Sequence, residues 1–451
     1  MTDRDGGSQD ADRRAANGRA AAIAVFIVFA LSGVNFSSWA ARLPAVRDGL
    51  DFTPNQMGLL LLVGALFSVA ALPLSGMIVE AIGAKRTVQI SAGMNTGGLI
   101  LGGVGVTLGS VWITVAGLVV YGVGTAVWDA AMNLEGAAAE QELKRSLMPR
   151  FHAGFSFGTM AGAGIGAGAA ALHVPIAVHL GVVLSLSMVT VLWATRSFLP
   201  EGTHDAHPDD RAARGTSGAF NAWREPRTLL IGVVILAAAL TEGAANDWVS
   251  LAVVDGFGTT NATGAVAFAV FVTAMTGMRL LGTALLDRWG RVVVLRIASG
   301  LALVGLLVFG LVPWFWLALV GIVAWGMGAA LGFPVGMSAA ADDPRRAPAR
   351  VAVVATIGYS AFLAGPPLLG LLANQVGYRT ALLAITIPVV AGLFAINAAR
   401  PLPTAAPTMT MADPAVTPPT VPPVADPTAA EPAGPPPHRP RSPDGPSSLD
   451  R

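Results

Sequence analysis

The chain has 451 residues, 53% of them apolar and 12% charged, against about 25% charged in an ordinary soluble domain. With no Cys, six His and a formal net charge of +1, it lacks the material for a disulfide scaffold, a thiolate metal centre or a basic nucleic-acid surface. A membrane protein remains, and the spacing of the charges predicts where it crosses.

Residues 1–19 are polar and hold Asp3, Asp5, Asp10 and Asp12. This is not the short basic start of a cleaved signal peptide, so the first apolar run is expected to stay as an anchor. Twelve apolar runs of about 20 residues follow, each long enough to cross a hydrocarbon layer. They fall at 20–41, 57–79, 87–107, 111–134, 151–172 and 175–195, then at 228–250, 264–286, 291–312, 316–340, 351–373 and 378–399. The link at 196–227 is polar, with His204, Asp205, His207, Asp209, Asp210 and Arg211, and reads as solvated loop rather than metal site. It separates six spans in 20–195 from six in 228–400. Residues 401–451 carry 16 of the 31 prolines, a composition too extended and polar for a core, and are expected to be disordered. The expected fold is all-α and integral to the membrane, with two pseudo-symmetric six-helix bundles.

Orientation follows from the basic residues. The links on the N-terminal side hold twenty of them, including Arg19, Lys85, Arg86, Lys144, Arg150, Arg227, Arg291 and Arg350, whereas the opposite links hold Arg42, Arg47 and Arg379. That bias predicts cytoplasmic termini in a bacterial plasma membrane.

The halves echo each other. Tyr121 to Ala126 (YGVGTA) and Trp325 to Ala330 (WGMGAA) lie 204 residues apart, as do Gly154-Phe155-Ser156 and Gly358-Tyr359-Ser360. After the second span come Gly76, Glu80, Gly83, Lys85 and Arg86; after the eighth come Asp287, Arg288, Gly290 and Arg291, offset by 207. Such a link needs an acid at the helix end, a glycine for the turn and cations at the membrane surface. It resembles the signature loop of the major facilitator superfamily, with Thr283 at a family glycine, Glu80 for Asp and Ala81 for Arg. The resemblance covers about residues 20–400 and implies that these loop residues hold a cytoplasmic gate.

Ionisable groups inside spans cost about 2.5 to 3.5 kcal/mol each on insertion scales, so each is a functional candidate. Span four carries Asp129 and Asn133, and span seven carries Glu242 and Asn246. Each pair is four residues apart, on one helix face, and suits a polar ligand. Counting along the spans puts Asp129 in the inner third and Glu242 toward the outer half, with Asp247, Glu135 and His152 nearer the ends. Arg279 in span eight is expected to serve a structural ion pair, and His152 is a possible proton relay. Trp39, Trp128 and Trp248 could stack on a sugar ring.

Trp128-Asp129-Ala130-Ala131-Met132-Asn133, Thr241-Glu242-Gly243 and Gly277-Met278-Arg279-Leu280-Leu281-Gly282 are similar to segments of the fucose permease-like sugar:proton symporters. That resemblance implies a sugar and proton site at Asp129, with Asn133 bonding the sugar. In span one, Ala40 stands where that subgroup has an aspartate four residues before a proline, leaving Asn35 and Trp39 as the nearest polar groups on one face. The expected function is alternating-access transport of a small polar solute, with protons as coupling ion. The alternatives are efflux by proton antiport and a membrane sensor. No nucleophile elbow, metalloprotease motif or Walker loop is present, so no enzyme, cofactor or metal is expected. The partners are solute, proton and lipid, with no nucleic acid and a monomeric state.

Overall fold

The computed structural model describes residues 3–143, 145, 147–200, 222–343 and 346–402. The Pro-rich tail, Lys144 and most of the central link, with His204 and His207, lie outside the described residues. In the first half α1 is Asp3–Ala40, α2 Leu43–Leu50, α3 Pro54–Ile82, α4 Ala84–Thr107, α5 Val111–Leu143, α6 Met148–Ala171 and α7 Ile176–Ala194. In the second, α8 is Pro226–Phe257, α9 Asn261–Leu311, α10 Phe315–Ala329, α11 Gly332–Ala340, α12 Ala347–Val376, α13 Tyr378–Leu382 and α14 Thr386–Ala395. The polar start expected to precede the first span is helical from Asp3 and continuous with it.

Nine of the described helices are long and apolar enough to cross a membrane by length and composition. One of them, α9, runs as two arms that meet at Gly290, where the backbone turns to φ 73° and ψ 165°. The Gly-rich, more polar α4 and α6, of 24 residues each, pack among the others and complete the twelve runs. Hydrocarbon offers no hydrogen bonds to the backbone, which is why the apolar runs of the described residues are helical.

Gly83 has the same geometry as Gly290, with φ 80° and ψ 155°. The two links predicted to be repeats therefore turn in the same way, in a region of backbone space open in practice to glycine alone. One fully buried core cluster joins Phe29, Trp128 and Phe151 of the first half, and another includes Trp248, Phe268, Phe271, Phe309 and Trp325 of the second. In the first half α1 lies on α6 and α4 on α5; in the second α8 lies on α12 and α14, and α10 on α9. Across the halves α3 meets α12 and α6 meets α9. At the α3–α12 crossing a Cβ on Gly370 would sit 2.7 Å from the Pro54 carbonyl and 3.0 Å from the Gly58 Cα, so both positions need glycine to let the backbones meet.

The face carrying Gly83 and Gly290, called here the basic face, is braced inside the second half. Asp342 takes Arg227 at 2.8 Å and Arg291 at 2.5 Å, while Glu225 takes Arg350 at 2.6 Å and Arg346 at 3.2 Å. The Arg350 hydrogen bond holds the Glu225 carboxyl below its ordinary pKa. Its contribution is therefore complete above the usual carboxylate range and fades as the pH falls through it.

Substituting Ala at Gly83 or Gly290 should cost about 1 to 3 kcal/mol each. The losses should add in the double variant, because the turns belong to different halves. Thermal unfolding of the detergent-solubilised protein measures both.

Candidate functional site

The deepest polar groups converge on the space between the halves. Asp129 lies near the middle of α5 and is exposed, yet it stands within electrostatic reach of Tyr359 on α12. Asn133, one turn on, donates its amide to the Asp129 carbonyl at 2.8 Å and to Oδ1 at 3.3 Å, which fixes the carboxylate along the helix. On α6, His152 is exposed, set edge-on to Phe29 at 5.2 Å, and lies within reach of Arg279 on α9. On α8, Asp247 lies within reach of Tyr121 on α5.

Glu242 and Arg279 form a two-toothed ion pair, with Nη2 donating at 2.8 and 2.9 Å to the two carboxylate oxygens. Arg279 also donates from Nε to the Ala330 carbonyl at 3.2 Å. That carbonyl lies where α10 gives way to α11, and Pro334, four residues on, has no N–H to offer it. Arg279 supplies the missing donor. Arg279 is thus paired with Glu242 and bonded to the helix break at once.

Two depths differ from the sequence estimate. The span predicted to end at residue 250 continues as α8 to Phe257, so Glu242 sits at mid-helix, level with Arg279, and Asp247 is not near an end. Hydropathy windows close at the first polar residues, and Asn246 with Asp247 closed this one early. Glu135 is fully buried and accepts from the Leu199 amide at 2.7 Å, tying α5 to the chain after α7.

Other candidates lie behind the cavity wall. Asn35 is fully buried and donates to Asn95 Oδ1 at 2.9 Å; Asn95 donates to Thr125 Oγ1 at 2.9 Å, a polar ladder across α1, α4 and α5. Trp39, Trp128 and Trp248 are each at most 4% exposed and pack as core. Asn246 is half-buried, and its Oδ1 lacks a hydrogen-bond partner among the described residues.

The two faces differ. On the face opposite the basic one, Arg47 of α2 pairs with Asp48 at 2.7 Å and with Asp255 at the end of α8, and Asn261 at the start of α9 donates to Asp48 at 2.9 Å. These bonds tie the halves together there. On the basic face, Glu80, Arg86, Asp287 and Arg288 are exposed and, like Lys85, make no ion pair among the described residues. A Cβ on Gly76 would meet open space, and Arg291 is spent on Asp342 within its own half. The latch residues Arg47, Asp48, Asp255 and Asn261 escaped sequence reading because nothing local pairs residues some two hundred positions apart. Tyr121 and Tyr359 did leave a trace: they are two of only three tyrosines in the chain.

A helical membrane protein with ionisable groups inside its spans, its halves tied at one face by Arg47, Asp48, Asp255 and Asn261, has the build of a solute transporter. The model of the Major Facilitator Superfamily matches residues 25–361 and 248–422, and the chain belongs to that family. It is 31% identical over 378 residues to the uncharacterized transporter y4wD of Sinorhizobium fredii, covering 80% of this chain and 96% of that protein. To membrane protein MosC of Rhizobium meliloti it is 26% identical over 369 residues, covering 80% and 86%. Among solved structures it overlays on the nucleoside transporter NupG with TM-score 0.67 at 15% identity, covering 85% of this chain and 98% of that one. It overlays on the transporter FucP in its outward conformation with TM-score 0.59 at 13% identity, covering 84% and 98%. The protein is a multi-pass membrane transporter.

Glu242→Gln should leave the Arg279 cation unpaired and cost about 2 to 3 kcal/mol, between an exposed and a fully buried pair. Glu242→Leu with Arg279→Met should recover only part of that loss, because it also removes the donor of the Ala330 carbonyl. A double-mutant cycle on thermal unfolding measures both.

Proposed function

We propose that this transporter moves a small polar, sugar-like solute by alternating access, coupled to proton entry, with Asp129 as the solute and proton group and Asn133 as its hydrogen-bonding neighbour. The observation that carries the reading is Asp129 itself: a mid-span carboxylate open to the space between the halves, with no cation paired to it among the described residues. Holding a charge at that depth is costly unless it binds something. Linkage then supplies coupling: if protonation and solute binding favour each other, the proton gradient drives accumulation. The short matches to fucose permease-like symporters around Asp129 support a sugar-like solute.

In this reading the halves are two six-helix bundles rocking about the central cavity, and the basic face with both termini is cytoplasmic. The latch at Arg47 belongs to a state open to the cytoplasm, and the gate residues Gly76, Glu80, Gly83, Lys85, Arg86, Asp287, Arg288, Gly290 and Arg291 meet only when that side closes. Glu242 and Asn246 line the second bundle's share of the cavity, and His152 stands at its mouth.

In energy-depleted, weakly buffered cells given a panel of sugars and small acids, one compound should alkalinise the medium with wild type and not with Asp129→Asn. Silence across the panel from protein shown to be in the membrane would remove the symport reading. The latch has its own test in a chain that contains no native Cys. Arg47→Gln should speed labelling of a cysteine placed at Leu369 by an impermeant maleimide about threefold to fivefold, the worth of one exposed ion pair.

A further inference from the structure

A buried cation on the face that carries the latch has no counter-charge. Arg42 stands at the corner between α1 and α2 and is 6% exposed. Its Nη2 donates to the Val174 carbonyl at 2.8 Å, while Nε and Nη1 lack hydrogen-bond partners among the described residues. His179, in the first turn of α7, is 4% exposed, and neither of its ring nitrogens has a partner there. A neutral imidazole carries one N–H and a charged one two, so at least one further donor is stranded in either state. Ser37 and Ser38, in the last turn of α1, are fully buried with unpartnered hydroxyls.

The helices bring these groups together. From the position that a Cβ on Gly166 of α6 would take, Ala41 Cβ lies 2.7 Å away and His179 Cε1 lies 3.7 Å away. One turn earlier on α6, a Cβ on Gly162 would stand 2.4 Å from Ser37 Oγ. The end of α1, the middle of α6 and the start of α7 therefore meet at one place, and His179 lies within electrostatic reach of Arg42. Behind Pro175, α7 begins at Ile176 with no side-chain cap. The positive end of a 19-residue helix thus adjoins Val174, the residue that Arg42 binds.

The protein supplies no acid to balance this charge. Of the elements packed here, α4, α6 and α7 contain none, and those of α1, Asp3, Asp5, Asp10 and Asp12, stand at its other end. On α2, Asp48 is already held by Arg47 and Asn261, and Asp51 beyond it is exposed. A buried cation without a counter-charge and buried donors without acceptors are both costly. A water would satisfy some donors and leave the charge; an anion answers both, as at other helix N-termini. The close approach of the backbones at Gly162 and Gly166 limits that anion to a small one.

We propose that Arg42, His179 and the start of α7 hold a small monovalent anion of chloride size, which joins the α1–α2 corner to the link between α6 and α7. The Val46 amide donates to the Arg42 carbonyl at 3.0 Å, so Arg42 opens the helix from which Arg47 reaches Asp255. The bound anion steadies the mount of the latch from within the first half. The site stands whatever the solute and the coupling ion prove to be.

The purified protein in detergent is unfolded thermally in sodium chloride, bromide and gluconate, mixed at constant ionic strength so that screening of surface pairs does not change. The expected result is a melting temperature that rises and saturates with chloride and with bromide in wild type. Arg47→Gln, which loses the latch pair and keeps the site, should respond in the same way. His179→Phe should raise the half-saturating concentration about tenfold, the worth of one hydrogen bond to a charge, and Arg42→Gln should abolish the response. Arg42→Lys keeps the charge and should respond weakly, which keeps the test decisive if the glutamine variant does not fold. A melting temperature indifferent to the anion overturns the proposal, as does a chloride response in the Arg42 variants equal to that of wild type. Loss of the response in Arg47→Gln also overturns it, by placing the effect at the latch itself.

Discussion

A main-chain carbonyl in hydrocarbon must find a donor within the protein, and much of this structure answers that demand. It makes the described spans helical, and it turns every proline inside them into a local problem. At Pro334 the answer is Arg279, whose guanidinium bonds the freed Ala330 carbonyl and is itself neutralised by Glu242. One backbone irregularity thus fixes the positions of three helices, α8, α9 and the α10–α11 break. The cation and acid that stand out in a reading of residue types are in part the upholstery of a broken helix.

The architecture was legible because the signal for it is local. Apolar runs of span length, and glycine in two equivalent links, depend on neighbours a few residues away, and Gly83 and Gly290 turn as their shared pattern required. Partners were not legible. Nothing in the string distinguishes Asn35, sunk in a ladder with Asn95, from Asp129, open to the cavity, although each is a polar residue in an apolar run. Trp39 and Trp248 read equally well as stacking platforms and as core, and packing decided for core. Asp247 was lost through its own polarity, which shortened the apparent span and moved it to a false end.

The cavity draws its polar groups from both halves in a staggered way. Asp129 lies within electrostatic reach of Tyr359, Asp247 of Tyr121 and His152 of Arg279, so groups of one half sense those of the other. Under the proposed alternating access, a solute entering between them meets groups of two moving bodies, the arrangement through which binding can bias motion. The second half is braced at its basic end by Asp342 and Glu225, each shared between two arginines.

The short helix α2 gives the two ends of the molecule different sensitivities to the medium. Asp48 and Asp255, the acids of its latch, are 48% and 41% exposed at their side chains, whereas Glu242 and Arg279 are at 20% and 27%. Dissolved ions screen the first kind of pair within about 10 Å at 0.1 M and reach the second far less. In the proposed cycle, salinity on the α2 side would set how long that side stays shut, while acting far less on the interior pair of Glu242 and Arg279.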